Sequence, residues 1–164
     1  MDYLIRPVEP KDGAAIISIF KEGIAGGNAT FDRDAPSWEA WDLKYLQNCR
    51  FVAVDEHGKV VGWAAIQAVS PRDCFRGVAE VSIYLAHSVH GQGLGARLLG
   101  KLVEDSEKQG FWMLQAGIFR ENIASISLHK KFGFREVGFR EKIGKMNGVW
   151  RDILLLERRS KVVN

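Results

Sequence analysis

The sequence of 164 residues predicts one α/β domain spanning 1–164, a mixed twisted sheet with helices on both faces. The first observation behind this is Glu80 to Leu85, where apolar and polar side chains alternate with the period of a strand. That strand leads through a glycine-rich turn into a helix, in which Leu94, Leu98, Leu99, Leu102 and Val103 keep helical spacing. Phe111 to Phe119 is the second, a mostly apolar run suited to a parallel strand covered on both sides. The third is a hairpin signal near each end of the chain, which puts antiparallel strands around a crossover centre.

Taken in order, Tyr3 to Val8 reads as a first strand, with Pro7 at an edge or strand end. Asp12 stands as N-cap of a helix to about Gly23, with Ile16, Ile19 and Phe20 on its inner face. Gly23 to Pro36 is a loop containing Thr30 and Phe31, a polar–aromatic pair unusual in a linker. Ser37 caps a second helix, Trp38 to Asn48. Phe51–Val54 and Val60–Ile66 form a hairpin across Asp55 to Lys59, with His57 solvated at its tip. The turn-rich segment Ser70 to Gly77 enters the central strand, a place where recognition residues gather. Gly110 stops the central helix, Asn122 caps the next one through Phe132, and Gly133 ends that as a left-handed C-cap. Two last strands, Arg135–Glu141 and Val149–Glu157, are turned by Met146-Asn147-Gly148.

Hydrophobic content of 46% with 26% charged residues is that of an ordinary globular protein long enough to bury a core. The net charge of +3 favours a polyanionic ligand mildly. Basic residues are dispersed, apart from the tail of Arg158, Arg159 and Lys161, so no nucleic-acid partner is expected. Cys49 and Cys74 show neither metal-ligand spacing nor a disulfide framework, and no metal site is expected. Met1 to Leu4 carries no signal-peptide pattern, and no apolar run approaches the roughly 20 residues of a membrane span. A cytoplasmic location without membrane attachment is the expectation.

The turn His90-Gly91-Gln92-Gly93-Leu94-Gly95 leaves backbone N–H groups uncovered, and the following helix aims its positive end at the same spot. This suits a pyrophosphate; the alternative is a turn that only needs positive φ. Gly91-x-Gly93-x-x-Ala96 also fits a dinucleotide fingerprint, which wants an acidic residue about 20 positions on at a strand end. Glu104 and Glu107 lie on the helix and Glu121 comes late. No Gly-Lys-Ser/Thr is present, which removes a nucleotide-triphosphate loop.

At these residues the chain resembles the GNAT N-acetyltransferases. His90 to Gly95 is similar to their acyl-CoA signature, with His90 where Arg or Gln is usual. Asn122, Ser125, Leu128, His129, Lys131, Gly133 and Phe134 resemble their second signature. The likeness covers most of the chain. It is strongest to the phosphinothricin (methionine sulfoximine/sulfone) acetyltransferase-like branch, through Ala79 to Tyr84, His129, and Gly148, Trp150 and Asp152. It implies the GNAT fold, acetyl-CoA as cofactor and a small amino acid or analogue as acceptor. It also implies a homodimer, with Trp150 and Asp152 near the interface.

Under this resemblance His90, Gly91, Gln92, Gly93, Leu94 and Gly95 hold the cofactor through backbone, while the His90 side chain either meets a phosphate or stays in water. An oxyanion-stabilising N–H is implied near Ile83, Tyr84 and Leu85. Glu80 is the implied general base; its other reading is a polar-face carboxylate paired with Arg76 or Arg72. His129, four residues after Ser125 and seven after Asn122, shares a helical face with both and is competent for acid or base work; otherwise it is a surface His beside Lys130 and Lys131. Asn122 touches the pantetheine arm or serves only as N-cap. For the acceptor, the planar fork of Arg72 matches a carboxylate, with Arg76 second. Thr30, Phe31, Phe75 and Trp150 shape the pocket or belong to core and interface. No cysteine stands with a base, which favours direct transfer in a ternary complex. Rival readings are another amine (a polyamine, a protein N-terminus), a non-catalytic CoA-binding sensor and a dinucleotide oxidoreductase.

Overall fold

A computed structural model describes residues 2–164, with Met1 outside the described residues. The chain runs β1 (Leu4–Pro7), α1 (Gly13–Gly26), α2 (Trp38–Lys44), β2 (Phe51–Val54), β3 (Val60–Ala68) and β4 (Val78–Leu85). It continues with α3 (Leu94–Lys108), β5 (Met113–Phe119), α4 (Ile123–Lys131), β6 (Arg135–Met146) and β7 (Val149–Arg159). One seven-stranded sheet has the order β1-β2-β3-β4-β5-β7-β6. Only β4 and β5 pair in parallel, so the sheet is mixed as expected.

Alternation along β3 and β4 sends side chains to two covered faces. On one, Trp63 stacks on Tyr84 at 4.7 Å and meets Trp41 of α2 edge-on at 5.2 Å, and Phe20 of α1 lies 4.9 Å from Tyr84. On the other, Gly62 leaves room for α3: a Cβ there would come within 2.8 Å of Leu85 and 3.3 Å of Leu98. Leu94, Leu98, Leu99, Leu102 and Val103 are all buried, as their spacing predicts. Each such side chain contributes about 1.5–3 kcal/mol on leaving water. No helix among the described residues is long and apolar enough to cross a membrane.

Several element details differ from expectation, and four of the differences have a local reason. Helix α1 runs past Gly23 to Gly26 and is closed by Gly27 at φ 81°. Gly23 is a close-approach residue inside it: a Cβ there would stand 2.6 Å from the Tyr84 ring. Asp12 occupies the N-cap position without capping α1, because its carboxylate accepts two bonds of 2.8 Å from the Arg6 guanidinium and another from the Glu9 N–H. Helix α2 is capped by Ser37 as expected, with the Ala40 N–H donating at 3.1 Å, but it stops at Lys44. Tyr45 leaves helical geometry there, and its buried ring packs against Trp41 at 4.9 Å. Strand β6 extends to Met146 across a bulge between Arg140 and Gly144, and the positive-φ pair Asn147–Gly148 makes a two-residue hairpin turn.

One feature of the sheet positions the candidate site. β4 and β5 pair only at Val78 with Met113, Ala79 with Leu114 and Glu80 with Gln115. Beyond Glu80, β4 stays with β3 as far as Leu85, while β5 stays with β7 as far as Phe119. The two parallel strands therefore part, and a wedge opens in the middle of the sheet.

Candidate active site

The wedge leaves backbone groups without strand partners. The Ala86 N–H donates to Val61 O at 2.8 Å, so by alternation Val81, Ile83 and Leu85 turn their N–H and C=O groups toward the gap. Two cavities meet at this edge, about 340 Å³ and about 360 Å³. They share Asn28, Ala29, Ile83, Tyr84, Asn122, Ser125 and His129 as walls. The first reaches Glu80 and the loop after α1, and the second reaches the first turn of α3.

Gly91 and Gly93 sit at φ 76° and 78°, with open space where a Cβ would be. Their backbone is accessible, and α3 starts at Leu94 with its unpaired N–H groups next to them. Gly95 lets this first turn approach α4, since a Cβ there would lie 3.2 Å from Leu128. His90 donates from Nε2 to Leu85 O at 3.1 Å, an acceptor on the unpaired edge of β4. The Gln92 side chain accepts from the Tyr3 hydroxyl at 2.7 Å, and Leu94 is buried in the core. At the turn, therefore, these two residues present only backbone.

Glu80 stands at the fork of the strands. Its Oε2 accepts from Gln67 Nε2 at 2.9 Å, and Oε1 lies 3.8 Å from where a Cβ on Gly117 would be. The pairing with Arg76 or Arg72 is not formed. Arg76 bonds Asp73 at 3.4 Å, and the Arg72 guanidinium lies 5.3 Å from the Phe75 ring centre.

His129 is 5% exposed, which overturns its reading as a surface residue. Its Nδ1 is 2.7 Å from Ser125 O, an atom that can only accept, so Nδ1 carries the proton. Burial pushes its pKa below the ordinary 6.5, opposed in part by that carbonyl. The ring is therefore neutral near pH 7 with Nε2 unprotonated, and His129 lines both cavities. Phe134 packs edge-on against it at 5.0 Å.

Asn122 does cap α4, with Oδ1 accepting from the Ser125 N–H at 3.3 Å. Its Nδ2 also donates to Asn28 O, and Arg151 donates to Gly27 O at 2.9 Å, so the loop after α1 is pinned from two elements. That loop delivers Thr30 and Phe31 to the first cavity. Phe31 meets Phe119 edge-on at 4.8 Å and lies so close to β6 that a Cβ on Gly144 would come within 2.6 Å of its ring.

Arg72, Phe75 and Trp150 line neither of these cavities. Trp150 is 54% exposed on β7, under the ammonium of Lys145. Sequence reasoning missed Gln67, Tyr45, Lys44 and Asp32 as cavity residues. None of them left a signal in the sequence; Gln67 enters because β3 continues two residues past Ile66 to Ala68. Burial pushes Tyr45 up to about 12 and raises Tyr84 as well, so both phenols keep their protons; Tyr45 donates to Ser82 at 3.1 Å.

The model of the acetyltransferase (GNAT) family matches residues 19–134. The chain is 32% identical over 162 residues to an L-methionine sulfoximine/L-methionine sulfone acetyltransferase of Pseudomonas aeruginosa, covering 96% of this chain and 94% of that one. To a phosphinothricin N-acetyltransferase of Alcaligenes faecalis it is 29% identical, over 94% of this chain and 81% of that one. The structure resembles that of a GNAT superfamily phosphinothricin acetyltransferase from Sinorhizobium meliloti in complex with AcCoA. That likeness has a TM-score of 0.88 at 30% identity, covering 97% of this chain and 89% of that one.

Proposed function

The chain belongs to the GNAT acetyltransferase family, and on that premise we propose that it moves acetyl from acetyl-CoA to the amino group of a small amino acid or analogue, such as phosphinothricin or methionine sulfoximine. Membership makes it an acetyl-CoA-dependent N-acetyltransferase. The observation that carries the proposal is the parting of β4 and β5, with Glu80 at the fork and His129 where the two cavities join.

Acetyl-CoA lies in the second cavity, its pyrophosphate on the backbone from His90 to Gly95 and its pantetheine arm along the unpaired edge of β4. Asn122 and Ser125 border that arm. The acceptor ammonium enters the first cavity and gives one proton to Glu80, directly or through water. The freed amine attacks the thioester carbonyl, forming the N–C bond, and the oxyanion is held by N–H groups near Ile83 to Leu85. Collapse breaks the C–S bond. The second nitrogen proton passes to the sulfur, with the Nε2 lone pair of His129 placed to accept and return it. The products are the N-acetyl compound and CoA. Thr30 and Phe31 confine the acceptor to a small cavity, which favours a small molecule over a protein chain.

We also propose a homodimer. Val137, Phe139, Ile143, Val149 and Trp150 are exposed on β6 and β7, and β6 is an open sheet edge. With both cysteines free, we place the protein in the cytoplasm.

The test is acetyl-CoA-dependent thiol release with phosphinothricin, methionine sulfone, common amino acids, spermidine and a short peptide. A saturable rate with one of the amino-acid group is expected. Glu80→Gln should lower kcat about 10²–10⁴-fold while leaving CoA affinity unchanged. Thiol release confined to spermidine or the peptide would overturn the acceptor class, and wild-type turnover in Glu80→Gln would remove Glu80 from the chemistry.

A further inference from the structure

We propose that Lys44 binds the carboxylate of the acceptor. This rests on the amino-acid acceptor proposed above and names the group that recognises it. The charged side chains lining the first cavity are Asp32, Lys44 and Glu80, so among the described residues Lys44 is its one lysine or arginine. Lys44 forms no ion pair with a described residue, although carboxylates border the same space. Its ammonium Nζ lies 5.3 Å from the centre of the Tyr45 ring. Tyr45 is in turn buried and donates to Ser82, which shares a face of β4 with Glu80. Lys44 itself is exposed, and its ammonium lies beside a buried ring that is tied to the strand of the proposed base.

An α-amino acid arrives as a zwitterion. Its ammonium is drawn to Glu80, and its carboxylate is repelled by Glu80 and Asp32. The Lys44 ammonium is the complementary group in reach of the same cavity, and a charge-assisted hydrogen bond there orients the amine toward the wedge. A lysine offers one point charge rather than a planar fork, so arginine at this position keeps the attraction. Arg72, which the sequence favours for this task, lines neither of the two cavities.

The test compares methionine sulfone, or another amino acid that is turned over, with its carboxamide, in wild type, Lys44→Met and Lys44→Arg. Wild type should favour the acid. In Lys44→Met the KM for the acid should rise about tenfold, with kcat little changed and the carboxamide unaffected, and Lys44→Arg should restore most of the loss. Methionine keeps the aliphatic stem over Tyr45, and carboxamide turnover reports that the site is intact. An unchanged acid KM in Lys44→Met, or equal losses for acid and carboxamide, would overturn the role of Lys44 and leave the acceptor class standing. A wild type that acetylates the carboxamide with the same kcat/KM as the acid would overturn the role of Lys44 alone, whereas one that acetylates no amino acid would overturn both.

Discussion

Burial sets the protonation of His129, and that has a consequence for stability. The unfolded chain titrates this imidazole near the ordinary 6.5, whereas the folded chain holds its pKa lower, with desolvation as the leading cause. Between those two values the unfolded state binds more protons, so stability is full above 6.5 and falls as the pH drops through that window. Urea midpoints measured from pH 8 to pH 5 should decline more steeply in wild type than in His129→Gln; parallel curves would contradict the buried neutral ring. The same residue shows what a sequence conceals. Lys130 and Lys131 beside it suggest a solvated face, whereas the turn at Gly133 lays Phe134 against a buried imidazole. The place of Glu80 on β4 was legible from the alternation of that strand. Its partner Gln67 was not, because that contact depends on the β3–β4 register.

Glycines read alike in sequence and do different work in the elements. Gly91 and Gly93 are where they are for backbone conformation, since a side chain would have open space but the wrong φ. Gly93→Ala should therefore cost about 1–2 kcal/mol in local conformation. It should weaken CoA binding while leaving the acceptor KM unchanged, which isothermal titration and steady-state kinetics would separate. Gly23 is the opposite case: its helical position is ordinary, and the space is filled by the Tyr84 ring at 2.6 Å from a would-be Cβ. Gly23→Ala should destabilise the fold by about 1–3 kcal/mol through overpacking, and a denaturation midpoint equal to wild type would refute the close approach. Sequence pattern marked Gly23 as a helix end because it carries no information about what lies across the interface. Helix α3 posed no such problem, because its apolar spacing and its burial are the same fact.

At the scale of the molecule, the sheet was legible in kind and not in order. Hairpins and a crossover are local signals, but the insertion of β7 between β5 and β6 and the parting of β4 from β5 depend on partners distant in sequence. That order leaves β6 as an open edge, with Phe139 51% exposed, and Gly144 at the end of its bulge lies close to Phe31, which walls the first cavity. If a second copy covers the β6–β7 ribbon, it also stiffens the strand that holds Phe31. Sedimentation at micromolar concentration should then show a dimer, and Phe139→Glu should shift it to monomer. The exposed position predicts a change in the monomer's own stability of no more than about 0.5 kcal/mol. The monomeric variant should show a raised KM for the acceptor with CoA affinity intact, because the cradle at Gly91 and Gly93 lies on another element. A wild type that sediments as a monomer at every concentration would remove the dimer. A monomeric Phe139→Glu with wild-type acceptor KM would sever its link to the site.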